Sequence, residues 1–272
     1  MSENNRSEPT PIHAMWVWDA RIILDDPSTL LQFSRSHEVN RLFLQISTTL
    51  SVDAYVAFVR TARRTNIDVV PTHGDPRWAL SSGAHGLSSF LGWVIEYNSA
   101  VPVQQQFRLV NLDIEGHALP GWSGHESAVG QQWADNAARA YQIASASGLK
   151  LSVDVPFWIN NIITSVDREP LGHWLASHAS ELVIMAYRGH VDGPDGVLAV
   201  AAPLLREAGH LRKSALVAVD TSAPSPHTSL NTVGQRAAQL ALESIERALS
   251  STPAFVGWAV NAYGPWSRMT GP

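Results

Sequence analysis

Eight short apolar runs, separated by segments with helical spacing, constrain this chain more than any other feature. They are residues 14–18 (AMWVW), 41–46 (RLFLQI), 68–71 (DVVP), 109–114 (LVNLDI), 151–155 (LSVDV), 182–186 (LVIMA), 215–219 (ALVAV) and 255–260 (FVGWAV). Their apolar character is nearly continuous, as in parallel strands covered on both faces. Between them the spacing predicts helices over 27–37, 52–65, 87–98, 126–147, 168–180, 197–208 and 232–249. Asp26 with Pro27, and Ser51, read as helix starts, Gly148 as a stop, and Thr232 with Gln235 as a capping box. Strand and helix alternating eight times in 272 residues is the length and order of a single (β/α)8 TIM barrel. An open doubly wound sheet fits less well, since no G-x-G-x-x-G follows the first run. The polar residues 1–11 are expected to be a disordered tail, 12–272 one barrel domain, and the end from Trp266 a short tail.

Composition removes several classes of function. Cysteine is absent, which excludes disulfides, thiolate nucleophiles and Cys-ligated zinc. With 19 basic against 24 acidic residues, the net charge of -5 argues against nucleic acid or an anionic membrane as partner. No run of 18 apolar residues could span a bilayer, and the start lacks the apolar core of a secretion signal, so a cytoplasmic location is expected. Neither a cofactor nor a metal is expected. There is no Gly-rich phosphate loop, no H-x-H or H-E-x-x-H spacing for a metal and no G-x-S-x-G for a serine nucleophile. His73, His85, His117, His125, His190 and His227 fall mostly in loops, where Asp75, Asp113 or Glu115 could join them. A metal-dependent hydrolase or isomerase acting on a small metabolite is therefore one alternative reading.

In a barrel of this kind the site is built at the C-terminal ends of the strands. The residues there are unusually polar: Trp18 and Asp19, then Gln45, then His73, Asp75 and Trp78. The fourth run carries Asn111, Asp113 and Glu115, the fifth Asp154 followed by Trp158 and Asn160. The sixth leads to Tyr187 and Arg188, the seventh to Asp220, the eighth to Trp258, Asn261 and Tyr263. Asn111, Asp113 and Glu115, spaced by two, share one side of a strand. Two carboxyls so close do not both ionise easily, so one is pushed up and can serve as a general acid. That is the arrangement needed to protonate a glycosidic oxygen.

The stretch VNLDIEG, residues 110–116, resembles the catalytic strand of the family 18 glycoside hydrolases, chitinases and their relatives, whose motif is D-x-x-D-x-D-x-E. Met185, Ala186 and Tyr187 are similar to that family's M-x-Y, and Trp258 resembles the tryptophan that floors its sugar subsite. The likeness covers the fourth, sixth and eighth strands and the barrel order. It implies Glu115 as acid/base, Asp113 as its polarising neighbour and Tyr187 as a contact near the reacting carbon. The chain departs from the motif at Arg108 and Asn111, which stand at its first two aspartates, and at Arg188, which replaces the Asp after the Tyr. Those departures point away from an acetamido sugar and substrate-assisted chemistry. They leave Asp154 as a candidate nucleophile or base opposite Glu115.

Ten of the 22 aromatic residues are tryptophan. Trp18, Trp78, Trp122, Trp158, Trp258 and Trp266 fall at strand ends or in the loops beyond, where indole faces can stack on sugars. Trp16, Trp93, Trp133 and Trp174 fit core positions instead. The sequence thus predicts a divergent glycosidase acting on an oligosaccharide or glycosylated small molecule, such as a natural-product intermediate. Trp18, Asp19, Gln45, His73, Trp78, Asn111, Trp122, Trp158, Arg188, Asp220, Trp258 and Asn261 would shape its substrate pocket. The further alternative is a catalytically inert barrel that binds sugar.

Overall fold

The computed structural model describes residues 10–222 and 224–270. Most of the expected tail, residues 1–9, lies outside them, and Thr10 and Pro11 are exposed. The chain runs β1 (Ile12–Val17), α1 (Ile22–Asp25), α2 (Pro27–Ser36), β2 (Arg41–Gln45), α3 (Val52–Arg64), β3 (Asp68–His73) and α4 (Ala84–Ala100). It continues through β4 (Leu109–Leu112), α5 (Glu126–Ala146), β5 (Lys150–Pro156), α6 (Leu171–His178), β6 (Glu181–Met185) and α7 (Val197–His210). It ends with β7 (Ser214–Asp220), α8 (Gln235–Leu249), β8 (Phe255–Asn261) and α9 (Tyr263–Arg268). Each strand pairs in parallel with the next, and β8 pairs with β1, closing an eight-stranded barrel.

Alternation along the strands sorts the apolar residues into two cores. Trp16, Phe43, Val70, Val183, Leu216, Ala218 and Ala259 fill the barrel interior. Met15, Leu42, Val69, Leu112, Val153, Val217 and Val260 face outward into the layer under the helices. Two helix starts act as the sequence implies. The side chain of Asp26 accepts from the Thr29 N–H and that of Ser51 from the Ala54 N–H. Gly148 stops α5 with φ of 71°.

Three expectations are corrected. The Thr232–Gln235 capping box does not form, because Gly234, at φ 87°, sets the chain's turn into α8 and Gln235 is the first helical residue. Helix α6 starts at Leu171 rather than 168, since Pro170 disfavours helical backbone at the residue before it. Trp266 is no tail residue: it is fully buried in α9, edge-on to Phe33 and Trp258. No described helix is long and apolar enough to cross a membrane.

Candidate active site

Strand β4 is shorter than its apolar run suggests, and this positions the carboxyls. Ladder pairing with β5 ends at Leu112, and Asp113 keeps a single backbone bond, its N–H to the His73 carbonyl at 3.1 Å. Gly74 permits that close approach, because a Cβ there would meet the Asp113 carbonyl oxygen at 2.0 Å. Glu115 then leaves the strand altogether, with φ -105° and ψ 64°, ahead of a short 3-10 turn at Gly116–Ala118. Asn111 is wholly buried inside the barrel, Asp113 partly buried at its rim, and Glu115 about one-third exposed in the loop above.

Strand β5 supplies the neighbouring carboxyl. Asp154 is 2% exposed, and its Oδ1 accepts a 2.6 Å hydrogen bond from the Asn111 amide. Burial, with the charge of Glu115 added, pushes the Asp113 carboxyl up to about 8. Burial first, then Asp113 and Glu115, holds Asp154 well above the ordinary carboxylate range, against the lowering pull of Asn111 and the Trp16 indole. The Tyr187 hydroxyl, just past β6, is raised by burial and by Asp113, Asp154, Asp220 and Glu115 together. Three strand ends, those of β4, β5 and β7, thus converge carboxyls on the phenol carried by a fourth. At neutral pH, Asp113 holds a proton, and burial pushes Asp154 in the same direction.

His117 belongs to this group, although as a sequence residue it stood out only as a possible metal ligand. Its Nε2 lies 3.7 Å from Glu115 Oε1 and its ring meets Trp158 edge-on at 5.2 Å. Burial lowers its pKa while Glu115 opposes the shift. Among the described residues no group of three or more His, Asp or Glu is arranged to hold a metal ion.

The other half of the mouth is a cleft of about 610 Å³ over β1–β3. Trp18, Asp19, Gln45, His73 and Trp78 line it together with Phe90 and Trp93. His73, Trp78 and Phe90 form a triangle of rings with centroids 5.1, 5.9 and 5.6 Å apart, and Trp18 donates its indole N–H to Asn261 at 2.8 Å. Asn261 in turn donates to Asp220, which also accepts from Ser222. Asp19 and Asp75 line this cleft, whereas Asp113, Glu115 and Asp154 do not. The two halves meet at His73, which walls the cleft and takes the Asp113 N–H.

The remaining expected residues divide. Trp158 sits beside His117, and Trp122 rests partly buried on the outer core. Arg188 turns to Asp195 at 3.0 Å and lies 4.4 Å over the Phe157 ring. Trp258 does not floor the site: it is 1% exposed in the layer under α8, stacked on His13 at 4.2 Å, with its N–H on Glu246 at 3.3 Å. The reason is parity, since Ala259 and Asn261 point inward and Trp258 must therefore point out. Sequence reading missed Trp93 in the cleft wall and Thr72, Ser152 and Glu181 inside the barrel. Ser152 was within reach, being two residues before the inward-facing Asp154.

No family model matches the sequence, and no curated protein matches it. Solved structures do match in fold. A chitinase from Chromobacterium violaceum superimposes with a TM-score of 0.57 at 13% identity, covering 94% of this chain and 95% of that one. A family 18 chitinase from Flavobacterium johnsoniae gives 0.58 at 10% identity, over 94% and 89%. A D-psicose 3-epimerase from Clostridium cellulolyticum, solved with D-tagatose, gives 0.54 at 10% identity, over 96% and 86%. The fold is the (β/α)8 barrel that chitinases have. Because an epimerase has it too, the chemistry must be argued from the site.

Proposed function

We propose that this chain is a glycoside hydrolase acting on an oligosaccharide or a glycosylated small molecule. The observation that carries the reading is the pairing of a proton-holding Asp113 with Glu115 at the mouth of the barrel. Glu115, in the loop and reachable, protonates the glycosidic oxygen as the bond to the anomeric carbon breaks. The carboxylate left on Glu115 then accepts a proton from the attacking water, which restores the acid, and Asp113 is the proton-holding neighbour that polarises it. Tyr187, whose hydroxyl sits among these carboxyls, would hydrogen-bond the sugar near the reacting carbon. Trp18 and Trp78, with Asp19 and Gln45, would hold the sugar in the adjoining cleft.

Asp154, buried and hydrogen-bonded to Asn111, suits a supporting role better than nucleophilic attack. Its burial also favours a second reading, in which the barrel binds sugar without cleaving it. A panel of oligosaccharides and aryl and metabolite glycosides, followed by NMR for new reducing ends, separates the two. Hydrolysis of at least one member supports the enzyme. Binding without any released sugar supports the inert barrel, and neither binding nor release removes the carbohydrate reading.

A further inference from the structure

The barrel interior is not wholly apolar. On its floor, at the N-terminal ends of the strands, Arg41 and Glu181 face each other across the axis. One guanidinium nitrogen reaches both carboxylate oxygens at 3.0 and 2.8 Å, with side chains only 14% and 7% exposed. Above the pair, Ser152 Oγ donates to Glu181 Oε1 at 2.9 Å. Asn111 Nδ2 lies 3.5 Å from Ser152 Oγ and 2.6 Å from Asp154 Oδ1, while Asn111 Oδ1 accepts from the Thr72 hydroxyl at 2.5 Å. Thr72, Asn111 and Ser152 are 0% exposed. A continuous polar column therefore runs from floor to mouth.

Each link has one sense only. Glu181, ionised by Arg41, can only accept, so the Ser152 hydroxyl must point its hydrogen down. Ser152 can then only accept from above, which turns the amide nitrogen of Asn111 toward it. The amide oxygen is taken by Thr72. The second amide hydrogen goes to Asp154 Oδ1, which leaves Oδ2 buried and without a hydrogen-bond partner.

We infer that the Arg41–Glu181 ion pair sets the direction of every hydrogen bond in this column, making Arg41, Glu181, Ser152 and Asn111 positioning residues that pin Asp154 through Oδ1 and leave Oδ2 as its only oxygen free to exchange a proton at the mouth. The groups facing Asp154 there are Asp113 and Glu115 from the end of β4, the Tyr187 hydroxyl from the end of β6 and the Trp16 indole N–H from β1. The column also accounts for Asn at 111. An Asp in its place could not donate to Asp154 and would add a further carboxyl to three already crowded. The consequence for catalysis rests on the acid/base reading proposed above; the column itself does not.

Infrared spectroscopy of the intact protein at neutral pH, with 13C-labelled aspartate, tests the inference without a substrate. The carboxyl band of Asp154 is identified as the one lost in Asp154→Asn. It is expected to shift in Ser152→Ala, which cuts the column while sparing the ion pair, and in Glu181→Gln, which frees Ser152 to reverse. Ser214→Ala, on the wall of the floor cleft outside the column, should leave it in place. No band lost in Asp154→Asn, or a band unmoved in Ser152→Ala, overturns the proposal even if Glu181→Gln fails to fold. A band that shifts as expected in a protein that cleaves no glycoside leaves the column standing and removes the enzyme reading. Glycoside cleavage with an unmoved band does the reverse.

Discussion

At the floor of the barrel, Arg41 and Glu181 are buried together, each with its opposite charge within 2.8 Å. At the mouth, what acts on Asp113 and Asp154 is burial and the negative charge of neighbouring carboxyls, and both titrate upward. The same barrel therefore contains one compensated pair and one cluster that keeps its charge down by holding protons. The difference is between a buried charge neutralised by a partner and one avoided by protonation. A buried group that could have been given a partner, and instead holds a proton, is poised to transfer it.

The largest expected effect comes from breaking the compensated end. Glu181→Ala leaves Arg41 buried without its anion and should lower stability by about 3–5 kcal/mol in chemical unfolding. Replacing both partners, Arg41→Met with Glu181→Leu, should recover most of that loss. If the single variant is as stable as the wild type, the floor pair is not the compensated one.

The mouth should respond with the opposite sign. Asp113 ionises near 3.8 when unfolded and at about 8 when folded, so the folded chain binds more protons between those values. Stability should accordingly fall as the pH rises through that window. Asp113→Asn should flatten the fall without abolishing it, since Asp154 remains. It should raise stability at pH 8 by about 1–3 kcal/mol, read from melting curves across pH. A variant with the wild-type pH slope would mean that Asp113 is not a buried acid.

The smallest effect separates the tryptophans. Trp18→Phe, in the cleft, should weaken sugar binding by about 1 kcal/mol, or roughly fivefold in Kd by titration calorimetry. Trp258→Phe, under α8, should leave Kd unchanged and affect only stability. Equal effects on binding would contradict the outward placement of Trp258.

Much of this architecture was legible in the sequence because parallel strands are apolar on both faces. The runs at 41–46 and 68–71 became β2 and β3 with the same first residues, and 255–260 became β8 with one residue added. The convergence of Asp113, Asp154 and Tyr187 was likewise readable from strand ends. What escaped depends on register and partners. The fourth run looked like a strand to residue 114, yet pairing stops at Leu112, where Gly74, just past β3, lets the Asp113 carbonyl pass close by. Trp258 was placed by likeness to a motif when the parity of Asn261 already pointed it outward. Arg41 and Glu181 begin their strands 140 residues apart, and nothing local in either run shows that they meet.

The central claim is that Glu115 is the acid of the uncompensated end. On whichever glycoside the chain cleaves best, Glu115→Gln should lower kcat by about 10²–10⁴-fold while the melting temperature and substrate affinity stay near wild type. Retained turnover in a folded Glu115→Gln protein would contradict the account.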